Sequence, residues 1–361
     1  FLQTDGTGKG TKLISSSPCG ITGDFASSLS NWRATSYSSY AGEQYLITWG
    51  RLCKISAGAV SQVATIPYMT HGNETWFTDL TFQNKMVINA NGEIWLSDGT
   101  AEGTQVLKTC ERANSEEPCE EHHVAVASIG ENLIGVQSEY TVAGYVSRLF
   151  AVDDETERTL HTYASPCGFN PQFSAAATNQ FLFVNACTKS VVTNGELAST
   201  HVYDTTRVSR SDPSDFIIQN GQLYTAFTGR GVARIKSPEL TIDYLEDEGD
   251  ESVLLGTTDQ GVIFFDDQRP NPTDNLKIYD AANEVKTLTN FAYLSASRLP
   301  HSTQRTLFIP YLASNGAHQV IATSGLANET FFLRYGDDFD TPVDIRGKLV
   351  PAIHLLLSDN G

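Results

Sequence analysis

The motif DGTxxGT between two apolar segments constrains the fold of this chain more than any other feature. It occurs in residues 1–14 (FLQTDGTGKGTKLI) and again in residues 94–107 (IWLSDGTAEGTQVL). Asp-Gly supplies the positive φ angles of a tight turn, and alternating apolar residues on either side are typical of paired antiparallel strands. The motif therefore predicts two β-hairpins of the same design.

Weaker copies of these hairpins and a second repeated element extend along the chain. The weaker hairpins begin at Lys54 (KISAGAVSQVATI), Ala151 (AVDDETERTLHTY), Tyr279 (YDAANEVKTLTNF) and Ala322 (ATSGLANETFFLRY). A short apolar strand precedes the hairpins, and its eight copies begin at residues 45, 85, 132, 180, 222, 253, 306 and 353. Eight copies in 361 residues give a period of about 45 residues, which is typical of a four-stranded propeller blade.

The predicted fold class is therefore all-β, a single β-propeller of about eight four-stranded blades that takes up residues 1–361 as one domain. The C-terminal segment HLLLSDNG resembles KMVINANG at residues 85–92, which leads directly into IWLSDGT. We therefore expect residues 1–14 to form the outer hairpin of a closing blade and residues 340–361 its inner strands. Such closure pairs strand edges that would otherwise be open.

The DGTxxGT hairpins resemble the ELWxSDGTxxGT repeats of secreted bacterial proteins, on residues 1–14 and 94–107. Eight blades in an acidic, cysteine-containing chain are also similar to the propeller cores of the biofilm-matrix adhesins of vibrios. These resemblances imply a secreted, extracellular scaffold for cell adhesion or carbohydrate binding, without an assigned reaction.

The charge and the apolar runs of the chain argue against two kinds of partner, nucleic acids and membranes. Lys and Arg number 24 against 42 Asp and Glu, a formal net charge of −18. Binding to phosphate backbones or anionic lipid needs clustered Lys and Arg, so we expect no nucleic acid partner. No apolar run approaches the roughly 18 to 20 residues that span a bilayer, so we expect no membrane insertion.

Antiparallel strands alternate in direction, so a blade with strands A to D has two different ends. The D–A connections and B–C turns emerge at one end, the A–B and C–D hairpins at the other. The longer connections are predicted at the first end, here called the long-loop end, in residues 15–34, 66–76, 110–123, 163–172, 184–200 and 335–348. Long loops on a rigid scaffold are common positions for binding residues.

Six cysteines occur without any CxxC pair, which favours disulfides and an oxidising compartment. Six cysteines allow 15 pairings. The blade layout places all of them at the long-loop end and favours the pairs Cys19–Cys53, Cys110–Cys119 and Cys167–Cys187.

Aromatic side chains predicted at the long-loop end are the candidate ligand-binding residues: Trp32, Tyr37, Tyr40, Trp76, Tyr140 and Tyr145. Such rings stack on sugars or anchor a protein partner. The partners expected are a polysaccharide or surface glycan, and other matrix proteins. The alternative for each ring is packing between blades and under loops.

Acidic clusters raise the question of calcium, which requires six to eight oxygen ligands. The best candidate is YGDDFDTP, in which Asp337, Asp338 and Asp340 follow a glycine that permits a tight backbone turn. No cluster matches a DxDxDG loop, and a solvated loop is the alternative interpretation.

Linear enzyme motifs are missing: the sequence has no GxSxG and no HExxH. GTGKGT at residues 6–11 lacks the Ser or Thr that follows Lys in a phosphate-binding loop, so it is interpreted as a hairpin. Two carboxylates on different blades would nevertheless suffice to cleave a glycan. A polysaccharide lyase or glycoside hydrolase with its site at the axial mouth is therefore one alternative, and a structural scaffold for other modules is another.

Overall fold

A computed structural model of the chain describes twenty separate segments. These are residues 2–3, 12–13, 19, 35–48, 50–56, 59–66, 75–110, 121–141, 144–154, 156–163, 173–186, 188–206, 208, 216–245, 251–267, 274–291, 293–296, 301–302, 305–313 and 318–334.

Within these segments the structure is all-β, with single 3₁₀ turns at Leu197–Ser199 and Ala327–Glu329. A two-stranded sheet pairs β1 (Leu2–Gln3) with β2 (Lys12–Leu13). Seven further sheets are each formed from consecutive strands, and we call them blades I to VII. The fold class is that of a β-propeller, as predicted.

The first four blades contain four strands each. Blade I comprises β3 (Thr35–Tyr40), β4 (Glu43–Thr48), β5 (Arg51–Ser56) and β6 (Ala59–Thr65). Blade II comprises β7 (Thr75–Phe82), β8 (Lys85–Ala90), β9 (Glu93–Ser97) and β10 (Gln105–Lys108). Blade III comprises β11 (Glu121–Ile129), β12 (Asn132–Thr141), β13 (Gly144–Val152) and β14 (Glu157–Tyr163). Blade IV comprises β15 (Phe173–Ala177), β16 (Leu182–Ala186), β17 (Lys189–Thr193) and β18 (His201–Asp204).

The remaining blades follow the same chain order. Blade V comprises β19 (Phe216–Gln219), β20 (Gln222–Phe227), β21 (Gly231–Lys236) and β22 (Thr241–Tyr244). Blade VI comprises β23 (Glu251–Thr258), β24 (Gly261–Asp267), β25 (Asp274–Asp280) and β26 (Val285–Phe291). Blade VII comprises β27 (Tyr293–Ala296), β28 (His301–Ser302), β29 (Leu307–Ala313), β30 (His318–Thr323) and β31 (Thr330–Arg334), with β27 and β28 both paired to β29.

The described residues thus contain seven complete blades, close to the eight predicted. The β1–β2 pair is the hairpin predicted for residues 1–14, with Leu2 opposite Leu13 and Gln3 opposite Lys12. Residues 340–361 lie outside the described segments. The closing blade therefore stays a prediction.

The chain divides into two compact units. The first contains Phe1–Val208, Ile218–Thr228 and Ala233–Tyr244, and the second contains Ser209–Ile217, Gly229–Val232 and Leu245–Gly361. In the first unit, apolar side chains of neighbouring blades form shared clusters, such as Ile47 of blade I with Ile88 of blade II. In the second unit, blades VI and VII share a cluster of the same kind.

Burial follows the position of a strand within its blade. Strands β16 and β20, second in their blades, are buried on both faces, whereas the outermost strands β10 and β18 are largely exposed. A strand covered on both faces favours a continuous apolar run, which is why the short apolar strands were recognisable in the sequence.

The DGTxxGT segment of blade II is a C–D hairpin turn closed by its own side chains, as predicted. The amide of Thr100 donates to Asp98 Oδ1 over 2.9 Å, and its hydroxyl donates to the same oxygen over 2.7 Å. The hydroxyls of Ser97 and Thr104 are 2.7 Å apart across the turn, and Gly99 N donates to Ser97 Oγ over 3.1 Å. Asp98 is therefore a turn former, since Asx side chains bond nearby backbone amides.

The same eight-residue turn recurs at residues 193–200 and 323–330. Its first and last hydroxyls are 2.7 Å apart in Thr193–Thr200 and 2.8 Å apart in Thr323–Thr330. The third position is a glycine with a φ of 88°, 97° and 94° in the three copies, Gly99, Gly195 and Gly325. The copy at 193–200 (TNGELAST) was missed in the sequence because only Gly and the terminal hydroxyl residues are shared.

Two sequence-based assignments were wrong. The apolar segment beginning at Val253 belongs to β23, the first strand of blade VI, and the strand that precedes the β25–β26 hairpin is β24. Both strands are apolar and about equally long, so the pattern did not separate them. Residues 184–200, predicted as one long connection, contain β17 and a C–D turn.

Candidate functional site

A groove of about 450 Å³ lies within the first unit, between the first strands of blades I and II. Strands β3 and β7 contact each other, as do β7 and β11 of the next blade, so the first strands form the inner side of this unit. The groove is lined by Tyr37, Ser38, Ser39, Tyr40, Gln44, Asp79, Leu80, Thr81 and Met86.

The β3–β4 hairpin forms one wall of the groove. Its two turn residues, Ala41 and Gly42, have φ angles of 49° and 78°, the left-handed pair that a two-residue hairpin requires. This turn fixes the register in which Ser39 lies opposite Gln44. Gln44 Nε2 donates to Ser39 Oγ over 2.7 Å, which positions the amide beside the hydroxyl at the groove wall.

Two tyrosines of β3 supply the aromatic surface of this wall. The Tyr37 side chain is 51% exposed, which makes its ring accessible to a ligand. Partial burial raises the pKa of Tyr37 above its ordinary value, so the phenol stays protonated and can donate a hydrogen bond. The Tyr40 hydroxyl donates to the carbonyl oxygen of Asn84, and its ring lies 6.4 Å from that of Tyr45. Tyr40 is thus fixed, and the Tyr37 side chain is half exposed.

A β-bulge in β7 forms the opposite wall. Phe77 lies opposite Ile88, but the next paired residue is Thr81, opposite Met86, so that extra residues are inserted into the strand. Thr78 Oγ1 donates to the carbonyl of Val87 over 2.9 Å, which holds the bulge against β8. Bulges of this kind redirect side chains and are frequent beside functional sites.

Asp79 stands at the centre of the bulge with a left-handed φ of 57°. Aspartate tolerates this conformation better than most residues. Its side chain is exposed and lines the groove, and it forms no ion pair or hydrogen bond with any residue that the structure describes. The bulge therefore presents a carboxylate to the same space that Tyr37 borders.

The groove combines an accessible aromatic ring, hydroxyls, an amide and one carboxylate, and none of the described residues that line it is a Lys or an Arg. Aromatic faces stack on the C–H surface of a sugar, while planar polar groups bond its hydroxyls. This combination suits a neutral or cationic saccharide better than an acidic one.

The groove brings together two of the six predicted aromatic residues, Tyr37 and Tyr40. Tyr40 was wrongly predicted at the long-loop end, because it is the last residue of β3 and adjoins the β3–β4 hairpin at the opposite end. Sequence reasoning missed Asp79 and Gln44 entirely. In FTDLTF the alternation of apolar and polar residues breaks at Thr78–Asp79, a signal for the bulge that sequence reasoning did not use.

Three of the other four predicted aromatic residues have a described backbone position. Trp32 is outside the described segments. Trp76 lies opposite Asn89 near the start of β7. Tyr140 lies directly opposite Tyr145 where β12 meets β13. The backbone positions of Trp76, Tyr140 and Tyr145 are therefore at the long-loop end. Their ligand-binding role stays a prediction.

The calcium candidates Asp337, Asp338 and Asp340 are outside the described segments. Within those segments, no group of three or more His, Cys, Asp or Glu side chains is arranged to hold a metal ion. In the same part of the chain, no helix has the length and apolarity needed to cross a membrane.

Two neighbouring residues with shifted pKa values, His161 and Tyr163, are not among the described residues that line the groove. Burial raises the pKa of Tyr163, whose ring meets that of His161 edge to face at 4.6 Å on β14. Burial also lowers the pKa of His161. Neither residue lines the groove, and one carboxylate alone lines it among the described residues, whereas acid catalysis of glycan cleavage uses a pair.

The disulfide Cys19–Cys53 is present, as predicted, with a Cα–Cα distance of 6.5 Å. Both residues are buried in a cluster with Leu46 and Val60 on blade I. Cys110 is also disulfide-bonded. Cys119, Cys167 and Cys187 lie outside the described segments, so the pairs 110–119 and 167–187 stay predictions.

Neither a protein-family model nor a curated protein sequence matches this chain. Solved structures that are similar to it include dihydro-heme d1 dehydrogenase NirN in complex with DHE, an oligogalacturonate lyase in complex with manganese, and a puromycin-hydrolyzing peptidase of Mycobacterium tuberculosis. Their sequence identities are 10%, 9% and 14%, with TM-scores of 0.39, 0.37 and 0.38.

The similarity to these three structures covers 83%, 85% and 77% of this chain, respectively. It spans 66%, 77% and 49% of their own chains, so that this chain covers less than two thirds of the first and the third. The fold class is established by the strands and sheets of the chain itself.

Proposed function

We propose that this protein is a secreted, non-enzymatic β-propeller that binds a matrix polysaccharide or a cell-surface glycan, in the manner of a biofilm adhesin with ELWxSDGTxxGT-type repeats. The observation that carries the proposal is the groove, whose lining includes the half-exposed Tyr37 ring, the Asp79 carboxylate and the Gln44 amide. The Cys19–Cys53 disulfide suits an oxidising, extracellular compartment.

Stacking on Tyr37 is the contact that this function depends on most. Its ring is already half exposed, so a sugar can cover it without any rearrangement of β3. The ring of Tyr40 behind it is held by the hydrogen bond to Asn84, which keeps the wall in place before the ligand arrives. A preformed wall lowers the entropic cost of binding.

The test is a glycan array, followed by titration of the best oligosaccharide with matched variants. Tyr37→Ala removes the stacking ring and is expected to weaken binding about tenfold. Phe331→Ala is the control, because Phe331 is 42% exposed on the outermost strand of blade VII and is not part of the groove. Circular dichroism verifies that both variants keep the native fold.

Equal binding by the native protein and Tyr37→Ala would contradict the proposed site. Depolymerisation of the bound polysaccharide, seen as new reducing ends or as an unsaturated-product absorbance, would instead favour the alternative of a carbohydrate-active enzyme. Loss of binding in Tyr37→Ala with full binding in Phe331→Ala supports the groove.

A further inference from the structure

The charge of the groove restricts which saccharide it suits. Among the described residues its lining contains one carboxylate, that of Asp79, and no Lys or Arg. The whole chain carries a formal net charge of −18. A polyanion such as a uronate polymer would be repelled by both the local carboxylate and the overall field. A neutral sugar would contact the Asp79 carboxylate through hydrogen bonds alone, without an ion pair.

The position of Asp79 favours a cation. Its carboxylate has no ion-pair partner among the described residues, although the same unit contains several such pairs, for example Lys54 with Glu43 at 3.3 Å. The half-exposed Tyr37 ring lines the same groove, and the face of an aromatic ring attracts an ammonium group. A carboxylate and an aromatic ring around one space form a common arrangement for binding an amine.

We propose that the groove binds a glycan containing unacetylated amino sugars, whose ammonium group pairs with Asp79 while the pyranose ring stacks on Tyr37. This inference rests on the proposed function and specifies its substrate class. Gln44 and the hydroxyls of Ser39 and Thr81 bond the sugar hydroxyls around the charged position. The Asp79 side chain is already exposed in the lining of the groove.

Three oligosaccharides of equal length test the proposal by isothermal titration at about pH 6 and low salt: hexaglucosamine, hexa-N-acetylglucosamine and hexagalacturonate. The first carries ammonium groups, the second is its neutral acetylated counterpart, and the third is acidic. We expect the hexaglucosamine to bind most tightly and the hexagalacturonate most weakly. Raising the ionic strength to about 0.5 M is expected to weaken hexaglucosamine binding selectively, because salt screens an exposed ion pair.

Two isosteric variants separate the ion pair from the rest of the site. Asp79→Asn is expected to weaken hexaglucosamine binding about fivefold, and to weaken it more than it weakens hexa-N-acetylglucosamine binding. Glu102→Gln removes the same charge from the exposed C–D turn of blade II and is expected to change neither, since Glu102 is not part of the groove. This control separates the local contact from the net charge.

The possible results distinguish this inference from the proposed function. If Tyr37→Ala weakens binding while Asp79→Asn leaves hexaglucosamine binding unchanged, the amino-sugar inference is overturned and the glycan site stands. Equal or tighter binding of the hexa-N-acetylglucosamine or the hexagalacturonate also overturns it. If none of the three hexamers binds, the amino-sugar inference is wrong, and the glycan array with Tyr37→Ala decides on the proposed function independently.

Discussion

Gly195→Ala tests the most regular feature of the fold, the contact of each eight-residue turn with the preceding blade. Gly195 is the third residue of the blade IV turn, with a φ of 97°. A Cβ atom added there would lie 2.7 Å from Asn132 Cβ and 2.8 Å from Asn132 Nδ2 of blade III. Asn132 is not free to move, because its side-chain oxygen accepts a hydrogen bond from Arg158 and its amide donates to Glu196 Oε1 over 3.0 Å.

Two effects add in this variant. The left-handed backbone costs an alanine about 1–2 kcal/mol, and forcing an extra methyl group into a packed contact costs about 1–3 kcal/mol more. The expected loss of unfolding free energy is therefore about 2–5 kcal/mol. Gly221→Ala is the matched control, since Gly221 has a φ of 75° with nothing within 4 Å of the added Cβ, so only the backbone cost applies.

Urea denaturation of the native protein and both variants, followed by circular dichroism, provides the measurement. The account predicts that Gly195→Ala is less stable than Gly221→Ala by about 1–3 kcal/mol. Equal loss in the two variants would refute the reasoning, because it would show that Asn132 and the neighbouring blade yield to the methyl group without cost.

Three further predictions concern side-chain networks of the first unit. Arg158→Met removes hydrogen bonds to Asp153 Oδ2 (2.6 Å), Glu196 Oε1 (2.8 Å) and the Gly195 carbonyl (2.9 Å). It is expected to lower the unfolding free energy by about 2–3 kcal/mol in urea denaturation. The control Arg148→Met loses an exposed ion pair with Glu139 at 3.7 Å and is expected to lower it by less than about 1 kcal/mol. Cys19→Ser opens a cross-link over a sequence separation of 34 residues and is expected to lower stability by about 3–4 kcal/mol, whereas equal stability with and without reductant would contradict this. Hydrogen bonds from Thr100 hold the pKa of Asp98 below its ordinary value, and bonds from Lys236 and Arg234 do the same for Asp243. Because these pKa values are lowered in the folded state, the two carboxylates stabilise the fold fully above the unfolded pKa of about 3.9, and this stabilisation is lost as the pH falls through the folded values. Asp98→Asn is expected to reduce the acid-induced loss of stability, measured as urea midpoints over a pH series.

Much of the fold was predictable from the sequence, because its determinants are local. The Asp98–Thr100 turn and the apolar second strands act over eight residues or fewer, so their patterns survive in the sequence. The blade IV turn escaped recognition because it keeps only the glycine and the paired hydroxyls, while Asn194 replaces Asp. The turn keeps its shape because Asn194 Oδ1 accepts a backbone hydrogen bond, as Asp98 Oδ1 does in the blade II turn.

The groove was only half predictable, because it depends on contacts between two blades. Tyr37 and Tyr40 were identifiable as aromatic candidates from their residue type. Asp79 became a candidate only through the β7 bulge, which shifts the pairing between Phe77 and Thr81. The break in alternation at Thr78–Asp79 marks this position in the sequence but does not show what the carboxylate borders. Between the pairs that Phe77 and Thr81 form, the chain advances four residues along β7 against two along β8, and pattern alone does not specify where the inserted side chains lie.

The central claim, that the groove between β3 and β7 is the glycan-binding site, is tested most directly by hydrogen–deuterium exchange with and without a saturating oligosaccharide from the array. The account predicts slower amide exchange on binding in residues 37–44 and in the bulge at residues 78–81, with little change on the outermost strands such as β31. Protection confined to other segments, for instance where β12 meets β13 beside Tyr140 and Tyr145, would contradict it.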